Sequence, residues 1–384
     1  MNDQRQIYRL LPQHLDRQPV GYPATWSGTD LRFLRRMFTP DEARVALYLS
    51  HQPVPLEAIV ERTAAEFSAE QTARLLESMF ERGAIGWKER SGVGHWFLLP
   101  VVVGIYEGQD GELTADFLAD TEPYMKSLSY GASLLAVSPP QMRTIPVNQS
   151  IPVAQNVATY DQIRSIVAEA RGPFVILKCI CRQRMALNRK PCKQTSRLET
   201  CLTFDDTAAM IKHRRHGREV PREEALDILR QNEDDGLVLQ PANARRPGFV
   251  CSCCGCCCGM LSLQKHLPHP LDFWTSNFRA EIDGALCKSC GKCVSRCQVG
   301  AVNLPVPKGR TRSKSPARIN PDRCIGCGLC VTTCPSHALR LTKRIPETVP
   351  PESEEELQTQ IAARKKTPWA RRRMLAKVML RMKQ

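Results

Sequence analysis

Apolar and polar positions divide the 384-residue chain into segments of different period. In FTPDEARVALYLS, residues Phe38, Ala43, Val45, Ala46 and Leu49 form a rough apolar face at helical spacing. Thr39 stands as N-cap, Pro40 takes the first helical position, and Asp41 and Glu42 suit the positive end of the dipole. A second helix is expected in PLEAIVERTAAEF and a third in SAEQTARLLESMFERG, opened by Ser68 and closed by Gly83. The period then falls to two in AIGWKERSGVGHWFLLP, with a turn at Ser91-Gly92, as in a hairpin. Residues 105–159 carry Pro139-Pro140, Pro146 and Pro152 and read as a linker. Beyond them YDQIRSIVAEAR reads as a helix and FVILK as a short buried strand that runs straight into Cys179. PREEALDILRQNEDDG reads as a helix from near Pro221 to Gly236.

Three helices and a hairpin over residues 30–104 resemble a winged-helix domain. Its third helix sets Arg74 and Arg82 against Glu70, Glu77 and Glu81, a poor surface for phosphates. The expectation is therefore a scaffold or protein-interaction module, with no specific DNA binding. The formal net charge of +15 does not alter this. Residues 364–384 supply nine Lys or Arg and no acid, so the basic excess is concentrated in a tail that follows the acidic patch Glu352–Glu356. Met374, Leu375, Val378, Met379 and Met382 recur along this tail at helical spacing. Contact with an acidic partner or a membrane surface is expected there.

Composition changes the picture through cysteine. All 18 lie between Cys179 and Cys334. The N-terminus has no apolar h-region, Arg35-Arg36 leads into no apolar stretch, and no apolar run is long enough to span a bilayer. A reducing cytoplasm is the expected setting, and there dense cysteines mean metal rather than disulfides.

Eight of the cysteines fall in an internal repeat. AEIDGALCKSCGKCVSRCQVGAVNL and ARINPDRCIGCGLCVTTCPSHALRL align at a constant offset of 37, each with C-x2-C-x2-C-x3-C. Thiolates at i, i+3 and i+6 wrap a tight loop around one face of a cubane, and Gly291, Gly326 and Gly328 let the backbone turn closely. The repeat resembles the bacterial two-cluster ferredoxins. That resemblance implies two [4Fe–4S] clusters. One would be held by Cys287, Cys290, Cys293 and Cys334, the other by Cys324, Cys327, Cys330 and Cys297. Pro335 follows the last cysteine of the second run as in that family, but Gln298 replaces the corresponding proline of the first.

Ten cysteines remain: Cys179, Cys181, Cys192, Cys201 and six in VCSCCGCCCG, from Cys251 to Cys258. CICR ends one expected strand and the knot follows another short apolar approach, so the two groups are placed to meet at one end of a small sheet. Ten thiols can supply one additional cluster or two. A zinc site and a thiol redox or substrate-binding centre are the other readings. Adjacent cysteines such as Cys253-Cys254 do not readily ligate one iron together, so neighbours are expected to serve different irons or stay free. The expected ligands are Cys179, Cys181, Cys192, Cys201, Cys251, Cys253, Cys254 and Cys257.

The order of these segments resembles multidomain 4Fe–4S ferredoxin-type proteins of anaerobes, on CICR, the knot and the terminal repeat. The expected fold is α+β multidomain. It comprises a winged-helix-like domain (30–104), a linker (105–159), a Cys-rich α/β iron–sulfur domain (160–278), a ferredoxin domain (279–345) and an acidic then basic tail (346–384). The expected function is electron transfer, alone or as a subunit of a larger oxidoreductase, with a redox protein as partner. An iron–sulfur sensor acting through the winged helix, and an oxidoreductase with substrate at the middle centre, are the alternatives.

Overall fold

The computed structural model describes residues 2–109, 111–150, 157–305 and 315–382. Five helices open the chain: α1 (Asn2–Arg17), α2 (Thr29–Met37), α3 (Pro40–Ala46), α4 (Leu56–Thr63) and α5 (Ala69–Glu81). The expected caps form as full capping boxes. The Thr39 hydroxyl accepts from the Glu42 amide while the Glu42 carboxylate accepts from the Thr39 amide at 2.8 Å, and Ser68 and Gln71 repeat the exchange. Strands β1 (Val54–Pro55), β2 (Ile85–Arg90) and β3 (Val93–Leu98) make a sheet ordered β1-β3-β2 behind these helices.

The stretch 105–159 departs from the linker expectation. It holds α6 (Ala115–Met125) and α7 (Leu128–Ala136). Phe117, Tyr124 and Tyr130 from these helices are buried in the same core as Tyr22, Phe33 and Phe80. The signal was weak because α6 carries Pro123 internally and LSYGASLLA in α7 has no sustained polar face. Pro152 lies outside the described residues. Buried Arg143 then anchors the following segment, with Nη1 donating to the Asp161 carboxylate at 2.8 Å.

The middle of the chain is a five-stranded sheet ordered β6-β4-β5-β8-β7. Its strands are β4 (Phe174–Lys178), β5 (Glu199–Phe204), β6 (Arg218–Val220), β7 (Val238–Pro241) and β8 (Phe249–Cys253). All neighbours pair antiparallel, so the expected α/β character gives way to α+β. Helices α8 (Ile163–Glu169), α9 (Ile180–Leu187), α10 (Asp205–His213), α11 (Arg222–Asp234) and α12 (Gly259–His266) accompany the sheet. His213 of α10 stacks on Trp87 of β2 with ring centroids 4.2 Å apart.

The repeat folds as two similar halves. β9 (Phe278–Ile282) pairs with β12 (Leu339–Lys343), and β10 (Val302–Asn303) with β11 (Arg318–Ile319). Short helices α13 (Lys292–Arg296) and α14 (Leu329–Thr332) follow the cysteine loops. One hydrophobic core runs through both the five-stranded sheet and this unit, including Val238, Leu239, Val250, Phe278, Leu329 and Leu341. Most of KGRTRSKSPAR, the basic stretch between the two halves that reads as a surface insertion, lies outside the described residues. The chain ends in α15 (Glu354–Ala363) and α16 (Pro368–Met382).

Candidate iron–sulfur and thiolate centres

The two halves of the repeat place their cysteines in two separate sets. Cys287, Cys290, Cys293 and Cys334 line one small cavity with Gly291, so the three-cysteine loop of the first run meets the fourth cysteine of the second. Burial works against ionisation of Cys334, but hydrogen bonds from Ser336 and from the Ala338 and Leu339 amides hold its thiol below the usual range. In the other set, burial pushes Cys327 up to about 12, and the neighbouring charges are those of Cys297 and Cys324. Amides already point at sulfur, Ala280 toward Cys324 at 3.4 Å and Ala301 toward Cys297 at 3.2 Å. Gly328 sits at φ +77°, and a Cβ there would overlap the Ser150 hydroxyl. Eight thiols in two crossed sets of four, with amide donors and a mostly apolar surround, fit two cubanes.

Residues 286–338 match the 4Fe-4S dicluster domain family. No curated protein matches the chain. The dicluster match supports iron–sulfur electron transfer in general and sets the C-terminal unit as ferredoxin-like. It covers neither the N-terminal unit nor the middle cysteines.

The ten middle cysteines divide into two groups. Six form a closed ring in which each thiol neighbours the next: Cys179, Cys181, Cys258, Cys253, Cys251, Cys201 and back to Cys179. The sheet builds this ring. Cys251 and Cys253 share one face of β8 by strand alternation. β5 pairs with β8 through Leu202 opposite Val250, and continuing that register sets Cys201 opposite Cys251. Cys179 is the N-cap residue of α9, Cys181 lies in its first turn, and Cys258 caps α12 by accepting from the Leu261 amide. Within the ring, hydrogen bonds from Cys181 and Cys201 hold Cys179 well below the ordinary thiol range. Hydrogen bonds from Cys201 and Cys253 bring Cys251 down to about 6.

The other four, Cys192, Cys254, Cys256 and Cys257, have sulfurs all within 4.8 Å of one another, the tightest grouping of potential ligands among the described residues. Sequence reasoning omitted Cys256 and Cys258 from the middle ligands, and they complete this group and the ring respectively. The available signal was that adjacent cysteines separate: Cys253 and Cys258 join the ring while Cys254 and Cys257 turn away from it. With the ferredoxin eight, the two groups account for all 18 cysteines.

Arg182 joins the groups. It is 2% exposed, donates to Ser252 O at 2.9 Å and to the Thr200 hydroxyl, and reaches the Cys192 sulfur. Burial alone would lower its pKa; the charges of Cys179, Cys254 and Cys201 raise it instead. The ferredoxin unit reaches the knot through Gln298, the residue that departs from the ferredoxin proline. Its Oε1 accepts from the Gly255 amide at 2.9 Å and its Nε2 donates to Gly236 O at 3.2 Å. Cys201 and Cys251 also line a cavity of about 1050 Å³, on whose wall burial pushes Glu107 up to about 7.

Proposed function

We propose that the chain is an electron-transfer protein in which the two ferredoxin clusters exchange electrons with a third iron–sulfur centre on the six-thiol ring. It would work with a redox partner protein or as one component of a larger oxidoreductase. The observation that carries this reading is the closed ring itself, six buried or half-buried thiols at the end of a sheet that shares its core with the ferredoxin unit. Clusters of this kind supply one-electron redox chemistry, and the chain contributes thiolates, amide donors and burial that set the potential. Gln298 and Gly255 give the two regions a fixed relative position.

The test is a full-length variant with Cys287, Cys290, Cys293, Cys297, Cys324, Cys327, Cys330 and Cys334 all changed to serine. About four or more irons with matching sulfide should remain after anaerobic reconstitution, with a reducible paramagnetic signal. A folded variant without iron or sulfide sinks the proposal.

A second reading has support from the cavity. A centre that opens through Cys201 and Cys251 onto a cavity lined also by Glu107, an acid poised to hold a proton near neutral pH, fits reduction of a bound substrate. A substrate-dependent change in the spectrum of the eight-serine variant would favour it. The sensor reading gains less. Arg82 of the candidate recognition region is engaged by buried Glu42 and by Met37 O. No operator protection is expected at nanomolar protein and physiological salt. The cytoplasmic setting belongs to the same proposal; the structure adds that no helix among the described residues is long and apolar enough to cross a membrane.

A further inference from the structure

We propose that Cys192, Cys254, Cys256 and Cys257 hold a single zinc ion in a structural tetrathiolate site that is not an iron–sulfur cluster. Sulfur–sulfur distances distinguish the two. Four thiolates on one tetrahedral zinc at about 2.3 Å stand about 3.8 Å apart. Four thiolates on the corners of a cubane stand about 6 Å apart, because the iron–sulfide core lies between them. Here Cys192 lies 3.6 Å from Cys254 and 3.8 Å from Cys256, and Cys256 lies 3.7 Å from Cys257. No pair in the group exceeds 4.8 Å, which leaves room for one ion and none for a core. The same chain provides the contrast, since no three of its ferredoxin cysteines gather this closely among the described residues.

The surroundings fit a closed site. Cys254 and Cys257 are 1% and 2% exposed, and all four positions come from protein, which leaves none open for water or substrate. The Gln194 amide donates to the Cys192 sulfur at 3.4 Å and the Lys193 amide to Cys256. Arg182 reaches Cys192, and Arg184 donates to Cys257 O at 3.0 Å. These donors oppose the net negative charge of four thiolates on a divalent ion. A d¹⁰ ion without geometric preference tolerates ligands as close in sequence as Cys256 and Cys257. Its service is mechanical. The loop 188–198 has little regular structure, and Cys192 fastens it to the turn after β8 across 62 residues.

This goes beyond the electron-transfer reading and is read out by a different metal. The full-length protein, produced with both iron and zinc supplied and purified anaerobically, should contain about one zinc per chain with a sulfur-only shell at about 2.3 Å in zinc-edge X-ray absorption. A Cys192→Ser/Cys256→Ser variant should lose that zinc while keeping the wild-type iron and sulfide. Zinc-free wild-type protein would overturn the proposal. So would a variant that keeps its zinc, that loses about four irons and four sulfides, or that loses one iron without sulfide. Should the variant fail to fold, the zinc-edge spectrum of the wild-type chain decides alone: a sulfur-only shell supports the site, and nitrogen or oxygen in the shell rejects it. Failure here leaves the six-thiol ring untouched, because that ring is tested by iron in the eight-serine variant.

Discussion

At the scale of single residues, Gln298, Arg182 and Glu107 carry the most specific expectations. Gln298→Pro would restore the ferredoxin pattern and yet destabilise this chain, because the Gly255 amide loses its acceptor and Gly236 O its donor. A loss of about 1–3 kcal/mol is expected in denaturant unfolding, with the ferredoxin iron retained. Arg182→Met removes the buried cation that faces Cys179, Cys254 and Cys201 and leaves their negative charge without its counterpart. The expected cost is about 3–5 kcal/mol, and Arg182→Lys should recover only part of it, since an ammonium cannot reach Thr200, Ser252 and Cys192 with one planar fork. Glu107 gives a pH dependence. Its folded pKa of about 7 lies above the ordinary 4.5, so between those values the folded chain binds more protons than the unfolded one. Its contribution is fully present below about pH 4.5 and is lost as pH rises through 7. Thermal unfolding of Glu107→Gln across that window should show a shallower fall of stability with pH than the wild type.

At the scale of elements, the terminal segments act inside the molecule. The tail helix α16 packs on α7, and Val378 and Met374 join Leu135, Leu267 and Trp274 in one apolar cluster. Part of the stripe expected to meet a partner is therefore turned inward, while Met379, Leu380 and Trp369 remain exposed. Val378→Asp places a charge in this apolar cluster and should lower the melting temperature as far as deletion of residues 368–384 does. If Val378→Asp melts like wild type, the helix is not docked. The acidic patch before it also has internal partners. Glu355 pairs with Lys88 and Arg90 of β2, and the Glu354 carboxylate accepts from the Gly248 amide at 2.6 Å. Glu355 is half exposed, so Glu355→Lys should cost no more than about 1 kcal/mol, and less as salt is raised. A large, salt-independent loss would contradict that account.

At the scale of the whole molecule, the shared core ties cluster retention to the complete chain. Val147 donates to Cys327 O at 3.0 Å, Arg296 to Glu233 O at 3.0 Å, and Ser150 fills the space beside Gly328. An isolated 279–345 fragment keeps all eight ligands and should still take up about eight irons. It should release them at lower denaturant than the full chain, measured by loss of cluster absorbance. The short-range features were legible in the sequence. N-caps at Thr39 and Ser68, the hairpin at Ser91-Gly92 and the eight-cysteine repeat all follow from spacing within a few residues or from a repeat at constant offset. The helices α1, α6 and α7 were not, because α1 and α6 carry Pro12 and Pro123 inside and LSYGASLLA of α7 has no sustained polar face. The middle cysteines mark the same limit. Their density announced metal, but VCSCCGCCCG holds no clue to which sulfur belongs to which centre. Strand alternation along β8, its register with β5 and the turn after Cys253 send Cys251, Cys253 and Cys258 to one group and Cys254, Cys256 and Cys257 to the other. Ligand identity is a property of residue type and is written in the chain. The nuclearity of a centre depends on distances between sulfurs brought from up to 80 residues apart, and only the folded sheet sets those.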